Sequence, residues 1–233
     1  LLIDCDTNLS NTALKLGLPI NNNFEKLMKS EITFEECLHR DGKFNLLSAC
    51  NGSTELFESS KDHEKFLIDI LVKVENKYDY IFLDSPAGLA RETLTLNAYS
   101  DHRFIVVTPD KSSITDSYSL LKILNMNYGI TENHLIVNKI SNRNQYKRIV
   151  KTLSETVENF LACRLQVLGG IQLESGEVDL FDGLLFDEAN ISLHKSFINL
   201  LGRFSEQGVC EHYNARKLLA GTSQLRQEVQ PIC

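Results

Sequence analysis

Apolar and polar positions fall in blocks along this chain. Short apolar runs stop abruptly on polar or turn residues. Leu1-Leu2-Ile3 stops at Asp4, Phe44-Asn45-Leu46-Leu47 at Ser48, and Tyr80-Ile81-Phe82-Leu83 at Asp84. Phe104-Ile105-Val106-Val107 stops at Thr108-Pro109, Leu135-Ile136-Val137 at Asn138, and Leu165-Gln166-Val167-Leu168 at Gly169-Gly170. Runs this short and this continuously apolar read as strands buried on both faces, which is how parallel sheets are written in sequence. Helical periods lie between them. Ser60 can cap a segment to about Asn76, with Phe66, Leu67, Ile70, Leu71 and Val74 on one stripe. Asp110 or Ser112 can cap the next, with Ile114, Tyr118, Leu121 and Leu124 inward. Residues 142–161 carry Ile149, Leu153, Val157 and Leu161; residues 191–204 carry Leu193, Phe197, Leu200, Leu201 and Phe204. The alternation predicts an α/β fold, a mostly parallel twisted sheet with helices on both faces.

The length, 233 residues, suffices for one large α/β domain or two small ones. The pattern assigns 1–205 to the α/β domain and 206–233 to a tail of weak periodicity, expected to be partly disordered or amphipathic. A formal net charge of −7 argues against bulk nucleic-acid binding. The six cysteines, Cys5, Cys37, Cys50, Cys163, Cys210 and Cys233, form no C-x-x-C pair and read as reduced thiols of a cytoplasmic protein. No apolar run is long enough to span a bilayer.

Candidate chemistry gathers where the strands end. Asp4-Cys5-Asp6 reads either as a capped turn or as a pair of carboxylates at the sheet edge where ligands bind in open α/β sheets. If the chain stays extended there, Asp4 and Asp6 share a side, and one of them can orient a water for attack on a phosphate. Asp84 ends its strand and is followed by Ser85-Pro86-Ala87-Gly88. Proline restricts that turn, and Gly88 allows rearrangement or close approach of a phosphate, as a nucleotide-sensing loop requires. Asn138 is either a turn residue or a carboxamide with donors and an acceptor suited to an adenine edge.

Taken together these residues resemble the MinD/ParA family, the deviant Walker A P-loop ATPases. Asp84 to Gly88 is similar to the family's D-S-P-A-G segment. Thr108-Pro109-Asp110, Thr115-Asp116-Ser117-Tyr118 and Leu120-Leu121-Lys122 resemble its next segment in the form seen in the flagellar-number regulators FlhG/FleN, and Val137-Asn138-Lys139 and Leu168-Gly169-Gly170-Ile171 continue the match. The resemblance implies a switch ATPase that binds ATP and Mg²⁺, dimerises with ATP, and controls flagellar number or placement; a MinD-type division-site role and a degenerate, partner-binding relative are the alternatives. It implies Asp6 as the water-activating residue, Asp4 as the partner that shapes the Mg²⁺ and phosphate site, and Asp84 as the Walker B carboxylate acting on Mg²⁺ through water. Pro86 and Gly88 match the second switch. Asn138 matches the adenine-contacting residue, with Ile171, Gln172 and Glu174 as the adenine-side loop, although the family's proline is replaced there by Gln172-Leu173.

The phosphate loop G-x-x-x-x-G-K-[ST] does not occur in these residues. Gly42-Lys43 is followed by Phe44 where a hydroxyl is needed, and Cys37 stands where the first glycine belongs. The first strand, phosphate loop and first helix of the family are therefore expected to precede Leu1, so this chain is expected to be a fragment that is inactive alone. The resemblance also implies peripheral contact with the inner face of the cell membrane. For that contact 215–229 is a better candidate than the stripe of 191–204, which reads as a core helix. A flagellar regulatory protein is the expected partner, and DNA is disfavoured.

Overall fold

The computed structural model describes residues 1–6, 12–19, 21–42, 44–48, 63–174 and 191–207. The expected cap Ser60, the tail from 208 and the anchor candidate 215–229 lie outside the described residues. The chain divides into two compact units, Leu1–Asn97 and Ala98–Cys233.

In the first unit, β1 (Leu2–Asp4), β2 (His39–Asp41), β3 (Phe44–Ser48) and β4 (Phe82–Asp84) form a sheet of order β2-β3-β1-β4. β1 runs parallel to both neighbours, and β2 pairs antiparallel with β3. The register sets Asp4 opposite Ser48 on one side and Asp84 on the other, so three polar strand ends share one edge. Ile3, Leu46 and Leu47 are fully buried behind that edge. The helices are α1 (Thr12–Lys15), α2 (Asn23–Met28), α3 (Phe34–Cys37), α4 (His63–Val74) and α5 (Arg91–Tyr99). α4 buries Leu67, Ile70, Leu71 and Val74, as its stripe predicts, then tightens into a 3₁₀ turn at Glu75–Lys77.

One expectation is corrected here. The run from Tyr80 reads as a buried strand, yet β4 spans only Phe82–Asp84, and Phe82 is 55% exposed. Among the described residues β4 pairs with β1 alone, which leaves its other side without a strand partner there, and continuous apolar sequence does not say which strands pair on both sides.

The second unit holds a three-stranded parallel sheet of β5 (Phe104–Val107), β6 (Glu132–Ile140) and β7 (Arg164–Gln172), in that order. Its helices are α6 (Lys111–Tyr128), α7 (Arg143–Leu161) and α8 (Ile191–Gln207). α6 starts where Asp110 accepts a hydrogen bond from the Ser113 N–H, and α7 where Asn142 accepts one from Gln145. Ile105, Val107, Leu135 and Val137 point to one face and pack with Leu121 of α6 and Ile149, Leu153 and Val157 of α7. Strand side chains alternate, so His134 lies on the other face, where Phe204 of α8 sets its ring edge-on to His134 at 5.2 Å. Arg203 of α8 donates to the Leu168 carbonyl at 3.1 Å. A bulge in β7 places Val167 opposite Leu135 but Gly169 opposite Ile136. Among the described residues no helix is long and apolar enough to cross a membrane.

Candidate functional site

Asp4 is the last residue of β1 and is only 2% exposed. Its Oδ1 accepts the Asp6 N–H and its Oδ2 the Thr12 N–H, each at 3.2 Å. The carboxylate therefore turns the chain as soon as the strand ends, and Asp6, half-buried, stands past the strand instead of continuing it. The Cys5 N–H donates to the Asp84 carbonyl at 2.9 Å, which extends the β1–β4 pairing to the tip.

Register partners on paired strands share a face, so Asp4 and Asp84 are brought together at one edge. The Thr12 hydroxyl donates to Asp84 Oδ2 at 3.4 Å. Desolvation, and then the charge of Asp4, hold the Asp84 carboxyl above the ordinary carboxylate range; the Thr12 hydroxyl and Lys15 pull it back, and Asp6 adds a smaller upward push. The same surroundings act on Cys5. Burial, Asp4 and Asp84 push its thiol up to about 12, and its Sγ donates to the Ile3 carbonyl at 3.5 Å, so it stays a neutral thiol. What remains at the edge is a set of hard oxygen donors, suited to a divalent cation such as Mg²⁺ and not to a soft metal. Among the described residues no group of three or more His, Cys, Asp or Glu could hold a metal ion by itself. A cation there would need water or ligand oxygens to complete its shell.

Asp84 leads into the segment 85–90 and then α5. Pro86 is half-buried, while Ala87, Gly88, Leu89 and Ala90 are exposed. Gly88 has φ +109°, a region an L side chain rarely adopts, so the turn depends on glycine.

The remaining candidates belong to the second unit. Asn138 lies in β6, half-buried, and its Oδ1 accepts the Lys139 N–H at 2.8 Å. Ile171 and Gln172 end the neighbouring β7, with Ile140 opposite Gln172 and the Leu173 N–H donating to the Ile140 carbonyl. Glu174 follows, half-buried. The structure thus collects Asp4, Asp6, Asp84, Pro86 and Gly88 at one end of the first sheet, and Asn138, Ile171 and Gln172 at the carboxyl end of the second. Sequence reasoning missed Thr12 and Lys15. The only signal for them is the polar run that follows Asp6, which carries no period.

A family model described as an AAA domain matches residues 1–137. Antiactivator FleN of Pseudomonas aeruginosa is 23% identical over 172 residues, covering 73% of this chain and 61% of that protein. Flagellum site-determining protein YlxH of Helicobacter pylori is 27% identical over 185 residues, covering 75% and 59%. The chain thus spans about three fifths of the length of these curated relatives. Among solved structures, the septum site-determining protein MinD of Pyrococcus horikoshii, complexed with Mg-ADP, superposes with a TM-score of 0.64 at 18% identity, over 85% of this chain and 80% of that one. A mostly parallel sheet with carboxylates at its strand ends, the family match over more than half of the residues and these relatives lead to one assignment: the chain belongs to the AAA domain family, as a MinD/ParA-type member related to FleN.

Proposed function

We propose that this chain is the greater part of an ATP-binding and ATP-hydrolysing switch protein that regulates flagellar number or placement. The observation that carries the reading is the Asp4–Asp84 edge, two carboxylates in register with Asp6 and Thr12 beside them. The donor set fits Mg²⁺: its groups are hard oxygens, and Asp4 stands in register with Asp84 at the same edge. When bound, Mg²⁺ neutralises charge on the phosphate oxygens. Asp84 is the residue that would hold it, through water. Asp4 fixes the turn that presents Asp6, and Asp6 orients the attacking water and accepts its proton. The reading assigns the adenine to Asn138, Ile171, Gln172 and Glu174 of the second unit. The reading requires that the whole protein carry a glycine-rich, lysine-bearing phosphate loop, which residues 1–233 do not contain.

The names of the relatives FleN and YlxH, together with the Thr115-Asp116-Ser117-Tyr118 segment, support the flagellar assignment over a division-site role. ATP-dependent pairing of two copies, a flagellar regulatory partner and peripheral membrane contact belong to the same proposal. The test is a Mg-ATP titration of the whole protein beside its Asp84→Ala variant. Substituting a group that acts on the metal through water is expected to weaken Mg-ATP binding roughly 10–100-fold. Equal affinity in the two proteins would overturn the reading.

A further inference from the structure

Segment 85–90 joins the carboxylate edge to α5, and its far end is anchored by an ion pair that neither the sequence motifs nor the family match accounts for. Arg91, the first residue of α5, sets its Nε 3.3 Å from Glu64 Oε1 in the first turn of α4. The two partners differ sharply in exposure: the Glu64 residue is 5% exposed, whereas the Arg91 side chain is 64% exposed. A buried carboxylate needs a counter-charge, and among the described residues Arg91 is the cation that reaches Glu64. The opening turn of a helix disfavours a cation, so Arg91 gains nothing from its own helix. Its position is explained by Glu64.

The near end of the segment is fixed too, because Asp84 is paired to β1 and bonded by Thr12. Between these anchors, residues 85–89 make no hydrogen bond or ion pair with the described residues. Gly88 at φ +109° supplies a pivot within them. The first α5 hydrogen bond, Leu94 N–H to the Ala90 carbonyl, begins where the tether acts, and Thr93, Leu94 and Leu96 are buried just beyond it.

We propose that Glu64 and Arg91 are positioning residues of the switch: their ion pair latches the base of α5 and so sets the rest position of segment 85–90 relative to Asp84. The latch rests on the proposed ATPase reading for its consequence in turnover, but its effect on the segment does not need nucleotide. With the latch intact, motion is confined to the pivot around Gly88. Without it, the α5 base drifts and the segment no longer returns Asp84 and Pro86 to one place, so hydrolysis suffers while nucleotide contacts made elsewhere persist.

Residues 1–233 contain no tryptophan, so a Leu89→Trp reporter, in the whole protein with any tryptophan outside them changed to Phe, gives a fluorescence signal from the segment alone. Steady-state anisotropy of that reporter is read without nucleotide and with Mg-ATP or Mg-ADP, in four backgrounds: unaltered latch, Arg91→Ala, Arg91→Lys, and the charge-exchanged Glu64→Arg/Arg91→Glu. The expected result is a drop in nucleotide-free anisotropy in Arg91→Ala, with recovery in Arg91→Lys and partial recovery in the exchanged pair. ATP turnover in Arg91→Ala is expected to fall about tenfold while the ATP dissociation constant moves less than about threefold, the split of a conformational step. Should Arg91→Ala not fold, Arg91→Lys against Glu64→Gln carries the same comparison. Anisotropy and turnover unchanged in Arg91→Ala, or lost equally in Arg91→Lys, overturn the latch. If anisotropy follows the latch but no background responds to ATP, the latch stands and the ATPase reading falls.

Discussion

Asp4 and Asp84 sit opposite one another at the tips of paired parallel strands, one buried and bonded to two backbone N–H groups, the other exposed and left with the charge of the first. The pair divides two tasks between chemically identical groups. Asp4 shapes the chain. Asp84 carries its charge partly desolvated and beside Asp4, and both effects disfavour its ionised form.

Asp84→Asn is therefore expected to stabilise the cation-free protein slightly at neutral pH. The sign follows from linkage. A carboxyl whose folded pKa lies above its unfolded value binds more protons in the native state between the two values, so stability rises as pH falls through that window from above. Above that window the native state bears the cost of a partly desolvated charge held beside Asp4. Because Asp84 is exposed, solvent screens most of it, and the melting temperature should rise by no more than about 2 °C. Melting curves with and without Mg²⁺ check this: the ranking of the two proteins should reverse when Mg-ATP is present.

Asp4→Ala should do the opposite. It strips the acceptor from the Asp6 and Thr12 N–H groups and is expected to cost about 3–6 kcal/mol, since hydrogen bonds to a charged group contribute roughly 1.5–3 kcal/mol each. Asp4→Asn keeps one acceptor oxygen and should recover about half. Urea unfolding read by circular dichroism measures both. Equal losses in the two variants would mean that the caps contribute nothing.

The contrast between these two residues also marks how far the sequence could be read. Strand ends at Asp4 and Asp84 were legible because an apolar run that stops on a polar residue is a local signal, whereas the stop at Asn138 misled, since pairing with β7 carries β6 on to Ile140. The cap was legible as Asp110 or Ser112, and Asp110 takes it. The exposure of Phe82 was not, because it depends on what pairs beside a strand. β2 was missed because His39-Arg40-Asp41 is polar and gains strand geometry only by pairing with β3. α5 was missed because Arg91–Tyr99 has a weak stripe, with Thr93 buried among its apolar residues. Thr12 and the Glu64–Arg91 pair join positions distant in sequence, and no window along the chain contains both members of such a contact.

His134 predicts a second pH dependence of opposite sign. It is 7% exposed, shares a 3.3 Å contact between ring nitrogens with His102, and packs on Phe104 and Phe204. Burial first, then His102 and Arg103, lower its pKa from 6.5 to about 4. The unfolded chain thus binds the extra proton between those values. Stability from this group is fully present above about pH 6.5 and is lost as pH falls toward 4, by at most about 3 kcal/mol. Urea unfolding at several pH values should show that loss reduced in His134→Phe, which keeps the ring contacts and removes the titration. A parallel loss in both proteins would assign the acid sensitivity to other groups.

Gly169 tests how α8 is seated on the second sheet. It stands at the bulge of β7 with φ +154°, and a Cβ built there would lie 3.1 Å from Leu200 Cδ2 of α8. Gly169→Ala thus meets two obstacles, a backbone conformation that suits glycine and a neighbour in the way, with an expected cost of about 1–3 kcal/mol. The two can be separated. Leu200→Ala makes room but costs about 2–5 kcal/mol as a large-to-small core change. If crowding dominates, Gly169→Ala should cost much less in the Leu200→Ala background, giving a coupling of about 1 kcal/mol or more. If the backbone dominates, the two losses should add. Denaturant unfolding of the four proteins decides between them. The coupled outcome means that Leu200 holds α8 by close approach to the strand, so any larger residue at 169 should lift the helix and release the Arg203 hydrogen bond to Leu168.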